Sequence, residues 1–115
     1  MQKCLLERRT NKRYEVHLPV HYRVSSRGRS DVSGTGTTRE ISTNGLSFRC
    51  RRPLPVGAHV EIVVEWPAKY GDVYPIDLLI TGFVVRVDGN KAAVRITSRR
   101  FRVIQEAEVA YLASA

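Results

Sequence analysis

Ile76-Asp77-Leu78-Leu79-Ile80-Thr81-Gly82-Phe83-Val84-Val85-Arg86-Val87, then Asp88-Gly89-Asn90, then Lys91-Ala92-Ala93-Val94-Arg95-Ile96, is the stretch that decides the fold class. Two runs rich in β-branched and apolar residues flank an Asp-Gly turn, the strongest short-range signal for a β-hairpin. Ile76–Val87 reads as one long strand. Ala92, Val94 and Ile96, with Ala93, form the last strand. Gly82 sits in mid-strand, where glycine often marks a bulge or a sharp barrel bend.

Outward from this hairpin the period-two pattern repeats. Val60, Ile62 and Val64 share one face of a strand, with Val63 on the other. Leu46, Phe48 and Cys50 alternate with Ser47 and Arg49. Val16, Leu18, Val20, Tyr22 and Val24 alternate with His17, Pro19, His21 and Arg23, and the Pro19 inside that run predicts an edge strand or a bulge. Residues 25–37, rich in Ser, Gly, Thr and Arg, read as a mobile loop. Pro53–Gly57 reads as a turn, and Trp66–Asp72 as a loop holding a bulky aromatic pair. Phe101–Leu112 reads as a short C-terminal helix, and residues 1–8 as a lead that precedes the domain at 9–115. Five to seven short strands separated by turns predict an all-β fold, a small antiparallel β-barrel of about six strands with that helix at its end.

Composition bounds the function. The 115 residues suit one domain, and 43% hydrophobic with 26% charged residues is ordinary for a globular chain. No apolar run is long enough to span a bilayer, and no signal peptide is legible, so the cytoplasm is the expected location. Cys4 and Cys50 lie far apart, with no paired-cysteine or Cys/His zinc spacing, and two reduced thiols are expected there. The net charge of +8 and the pI near 10.1 imply an anionic partner, although a basic solvated surface is the plainer alternative. Arginine carries much of that charge, from Arg8, Arg9 and Arg13 through Arg49, Arg51 and Arg52.

Nothing in the chain forms a catalytic constellation. His17, His21 and His59 lack an acidic partner at metal-ligand spacing, and Ser42 has no evident base. No phosphate-cradling glycine loop of the known kinds is present. Two polar stretches remain. Arg9-Thr10-Asn11-Lys12-Arg13 places two guanidinium groups four residues apart, so they fall on one side of either a helix or an extended segment. Glu40-Ile41-Ser42-Thr43-Asn44-Gly45 forms a polar turn joining two strands. Guanidinium groups bind phosphate bidentately and also stack on flat rings. A Ser/Asn/Gly turn can offer hydroxyl, amide and backbone N–H groups to an anion or a base edge. Each stretch alone has an ordinary explanation, a basic arm or a hairpin loop. Their order, each followed by a strand pattern, gives them weight together.

In these motifs the chain resembles the PilZ domain, a bacterial receptor for the second messenger cyclic di-GMP. The R-x-x-x-R segment is matched by Arg9 to Arg13, and [D/N]-x-S-x-x-G by Glu40, Ser42 and Gly45. Gly82–Arg86 followed by Ala93–Ile96 is similar to the family's later strand pair. The resemblance implies a ligand-binding, non-enzymatic domain without metal or cofactor. It implies that Arg9 and Arg13 stack on guanines and pair with phosphates of cyclic di-GMP, often bound as an intercalated dimer, and that Ser42 and Gly45 contact the nucleotide. Arg8 adds cationic reach. Glu40 stands where the family has Asp or Asn. Its extra methylene is either absorbed by a shift of the loop or carries the carboxylate past the base, an error commonly costing ~1–3 kcal/mol in a polar pocket. The resemblance also implies an arm that orders on binding and a downstream protein partner. Two other readings compete: an adaptor that has lost its nucleotide, favoured by Glu40, and a basic RNA- or DNA-binding barrel. The third is disfavoured because Trp66, Tyr70 and Tyr74 fall in a predicted loop rather than on a strand platform.

Overall fold

Alternation of buried and more accessible side chains holds over Val20–Val24, Leu46–Cys50, Val60–Val64 and Ala92–Val94. Each strand thus has one dry face, and such faces are buried most completely when a sheet closes on itself. The computed structural model describes residues 13–28 and 30–104. Its strands are β1 (Tyr14–Glu15), β2 (Pro19–Ser25), β3 (Val32–Ile41), β4 (Gly45–Cys50), β5 (His59–Tyr70), β6 (Tyr74–Asp88) and β7 (Lys91–Val103). All pairings are antiparallel. Strands β3, β2, β5, β6, β7 and β4 follow one another round a ring that β4 closes by pairing with β3, and β1 adds a two-residue rung beside β3. This is the expected six-stranded barrel. No helix occurs among the described residues.

The barrel interior is filled by Val20, Val24, Phe48, Val60, Ile62, Val64, Ile80, Val84 and Val94. Phe48 is fully enclosed and meets the Tyr22 ring at 5.4 Å. Burying each such side chain contributes ~1.5–3 kcal/mol. The hairpin of residues 76–96 forms as read, with Asp88 opposite Lys91 across the turn and a register shift at Thr81/Gly82. A Cβ on Gly82 would lie 2.0 Å from the Arg95 carbonyl oxygen, so only glycine lets β7 approach there.

Four local expectations are corrected. Most of the predicted loop at 25–37 is strand: β3 begins at Val32 and pairs with β2 on one side and β4 on the other. Its Ser, Thr and Gly composition reflects solvent-facing positions and close neighbours, since a Cβ on Gly36 would lie 2.1 Å from the Arg49 carbonyl oxygen. Pro19 marks neither an edge nor a bulge; it is the first residue of β2, which runs between β3 and β5. Trp66–Tyr70 continue β5 rather than looping out, with a bulge between Trp66 and Lys69 that absorbs Pro67. Phe101–Val103 continue β7 rather than starting a helix, because Phe101 packs edge-on to Trp66 at 5.3 Å and Arg102 bonds Asp77 at 3.0 Å. The rest of the predicted helix, at 105–112, lies outside the described residues, as does the predicted lead at 1–8.

Candidate functional site

The chain enters the barrel through Thr38. Among the described residues it is the buried polar side chain of the core, and it is fully enclosed. Its hydroxyl donates to the Val16 carbonyl (2.5 Å) and accepts from the Leu18 N–H (2.8 Å). The Thr38 N–H donates to the Leu18 carbonyl and the Val16 N–H to the Arg39 carbonyl. These bonds satisfy backbone groups that have no ladder partner between β1 and β2, and they fasten the segment following Arg13 onto β3.

A bulge at Arg39 then sets the direction of Glu40. Thr38 pairs with Phe48, but Glu40 pairs with Ser47, one step out of phase. Simple alternation would turn Glu40 inward with Thr38; the extra residue turns it out toward solvent. There it stands 3.9 Å from the Arg13 guanidinium, with side-chain exposures of 51% and 75% respectively. An ion pair so exposed is worth little, ~0–1 kcal/mol, and yields readily to a stronger partner.

The hairpin between β3 and β4 closes on itself. The Ser42 N–H donates to the Gly45 carbonyl (2.8 Å), and the Ser42 hydroxyl accepts from the Gly45 N–H (3.1 Å) and reaches its carbonyl (3.3 Å). The turn is tied to β7 by the Ile96 N–H on the Asn44 carbonyl (2.9 Å) and by the Arg99 guanidinium on the Thr43 carbonyl. Ser42 therefore shapes a fixed turn as well as presenting a hydroxyl.

Arg13, Glu40, Ser42 and Gly45 line one cleft of about 140 Å³ on the outer surface of the barrel. The two predicted motifs, remote in sequence, thus meet. Arg8 and Arg9 lie outside the described residues. The same cleft is walled by Ser47, Arg86, Lys91 and Ala93, which the sequence reading did not single out. Their signal was the hairpin itself: once Asp88 is set opposite Lys91, Arg86 and Ala93 fall opposite each other. The second bulge, between Val84 and Arg86, lies just past that pair.

Elsewhere the titratable groups are dispersed. His21 pairs with Glu65 (3.2 Å) and His17 with Glu15 (3.8 Å), all exposed. No group of three or more His, Cys, Asp or Glu placed to hold a metal occurs among the described residues. Cys50 is a buried free thiol whose Sγ reaches the Arg52 carbonyl, and burial pushes its pKa up. Burial likewise raises the Tyr22 hydroxyl, with Cys50 adding to the rise and Arg52 opposing it. No helix among the described residues is long and apolar enough to cross a membrane. Next to the cleft, beyond the Ser42 turn, lies an apolar groove lined by Tyr14, Ile41, Trp66, Leu78, Ile96 and Phe101.

Comparison with known proteins agrees with this architecture. No curated protein matches the chain. Among solved structures, the fold is similar to the crystal structure of the PilZ domain of CeSA from a cellulose-synthesising bacterium, with a TM-score of 0.58 and 17% identity over 76% of this chain and 81% of that one. The family model described as PilZ domain matches residues 7–114, nearly the whole length, and the chain belongs to the PilZ domain family.

Proposed function

We propose that this protein is a receptor for cyclic di-GMP that relays the signal by protein contact and catalyses no reaction. PilZ domains are known as regulatory binding domains for that nucleotide. The observation that supports the assignment here is the meeting of Arg13, Glu40 and the Ser42–Gly45 turn on one cleft. Cyclic di-GMP carries two phosphates and two guanines. Arg13 answers both, by charge and by stacking on a flat ring. The cleft of about 140 Å³ suits one ring-sized group, and Arg8 and Arg9, N-terminal to Arg13, are the cationic candidates for the rest of the ligand. Ordering that arm against the barrel is the switch: it costs chain entropy, offset by the contacts, and presents or hides a surface for a downstream protein.

In the free protein Arg13 is held by Glu40. Binding exchanges this weak pair for contacts with phosphate and base. The same pair supports a second reading, an adaptor in which Glu40, longer than the family's Asp or Asn, keeps the arginine and excludes the nucleotide. Calorimetric titration with cyclic di-GMP separates the two. Saturable binding by the native protein, lost in Arg13→Ala and tightened in Glu40→Asp, supports the receptor. No binding by the native protein, with binding restored in Glu40→Asp, supports the adaptor. Hydrogen exchange provides the test of the switch: ligand should slow exchange across residues 8–13, and identical rates with and without ligand would overturn it.

A further inference from the structure

The outer face of the barrel carries a row of residues that sit directly opposite one another on four successive strands. Glu40 of β3 faces Ser47 of β4, Ser47 faces Ala93 of β7, and Ala93 faces Arg86 of β6. The pairing is regular along the row; two bulges, at Arg39 and at Val85, lie just beyond its ends, between these outward residues and the inward Thr38 and Val84. The row has charged ends and a floor of two small side chains, with Lys91 beside the Arg86 end. Strands lie ~4.7–4.9 Å apart, so the backbones at the two ends are about 14–15 Å apart, a span that two extended side chains and one flat ring system fill.

The floor holds an unusual atom. The Ser47 hydroxyl oxygen is buried and has no hydrogen-bond partner among the described residues. Buried polar groups are nearly always satisfied, and one left open carries a cost that a partner in the cleft would remove. At the far end, Arg86 is engaged only loosely, its Nε 3.5 Å from Asp88 with both side chains largely exposed.

Resting on the receptor reading above, we infer that Ser47, Ala93 and Arg86 form a guanine-selective wall of the cleft. A guanine lying flat on Ser47 and Ala93 turns its N1–H and N2 amino donors to the Glu40 carboxylate. Its O6 and N7 acceptors then face Arg86, the side chain best shaped to bind that pair. Ser47 hydrogen-bonds the ring or its ribose from below. Adenine reverses the pattern: it sets a ring-nitrogen acceptor against the carboxylate and an amino donor against the guanidinium. The two ends of the row are therefore complementary to one purine and repel the other.

The test is calorimetric titration of the native protein, Ser47→Ala and Arg86→Gln with cyclic di-GMP and with cyclic di-AMP, alongside thermal melts of each. The native protein should prefer cyclic di-GMP. Arg86→Gln should weaken cyclic di-GMP by on the order of tenfold to a hundredfold and narrow the preference. Ser47→Ala should weaken it by about threefold to tenfold with an unlowered melting temperature, since the hydroxyl makes no bond within the described fold. Native-like binding in both variants, or a lowered melting temperature with unchanged affinity for Ser47→Ala, would overturn the wall while leaving the receptor reading intact. A loss in one variant alone would remove the other residue from the wall. A native protein that binds neither nucleotide would overturn the receptor reading and this inference with it.

Discussion

Thr38 shows how much one hydroxyl can organise. It sits inside an apolar barrel because two backbone groups of the entering chain need a partner there, and no strand supplies one. Thr38→Val keeps the shape but leaves the Leu18 N–H without its acceptor and the Val16 carbonyl without its donor. Unfolding in urea should show a loss of ~1–3 kcal/mol. Ligand binding should weaken as well, because the segment that carries Arg13 is no longer fastened beside Glu40. Tyr22 and Cys50 make a prediction of a different kind. Both are neutral when protonated, and burial raises their pKa values from the ordinary 10.0 and 9.0. The native state thus holds these protons more tightly than the unfolded chain does. Their contribution to stability is complete below about pH 9 and is lost as pH rises through the raised thiol value and then the raised phenol value. Melting temperatures measured upward from neutral pH should fall above about pH 9, and the first part of the fall should be shallower in Cys50→Ala.

At the level of strands, register is fixed by bulges and glycines more than by apolar content. Gly82→Ala drives a methyl against the Arg95 carbonyl, a backbone atom that moves only if β6 and β7 part. A destabilisation of about 1–3 kcal/mol in denaturant titration is expected, as for other overpacked sites. The same devices explain which elements could be read in advance. Where one face is dry and the other wet, as in Val60–Val64 or Leu46–Cys50, alternation alone identified the strand. The first part of β3 has mostly solvent-facing side chains and glycines set against close neighbours, so it reads as a loop until its partners are known. Phe101–Val103 carry apolar residues at spacings that also suit a helix; a long partner strand and the Trp66 ring decide for β. The candidate site divides in the same way. Glu40, Ser42 and Gly45 form a local motif, legible within six residues, whereas Ser47, Ala93 and Arg86 come from three strands and become neighbours only once β4 pairs with β7, a strand remote from it in sequence.

Across the whole molecule, closure of the six-strand ring leaves β2, β3, β4, β5, β6 and β7 paired on both sides, so the sheet offers little free edge for adventitious strand pairing. The net charge of +8 then governs which anions gather at the surface. A compact ligand with two charges meets few of those cations, whereas a single-stranded nucleic acid would meet many. Between about 50 and 200 mM salt the affinity for cyclic di-GMP should fall only modestly; a fall of ~10³ or more would indicate polynucleotide binding instead. One further property comes from the groove beside the cleft. Trp66 is the chain's only tryptophan, and its indole lies against Phe101 in a groove shared with Tyr14, one residue after Arg13, and with the Ser42–Thr43 turn. Native emission from the protein is therefore a label-free optical gauge of this corner: any ligand that shifts the entering arm or the serine turn changes the colour and yield of a single fluorophore already built into the wall.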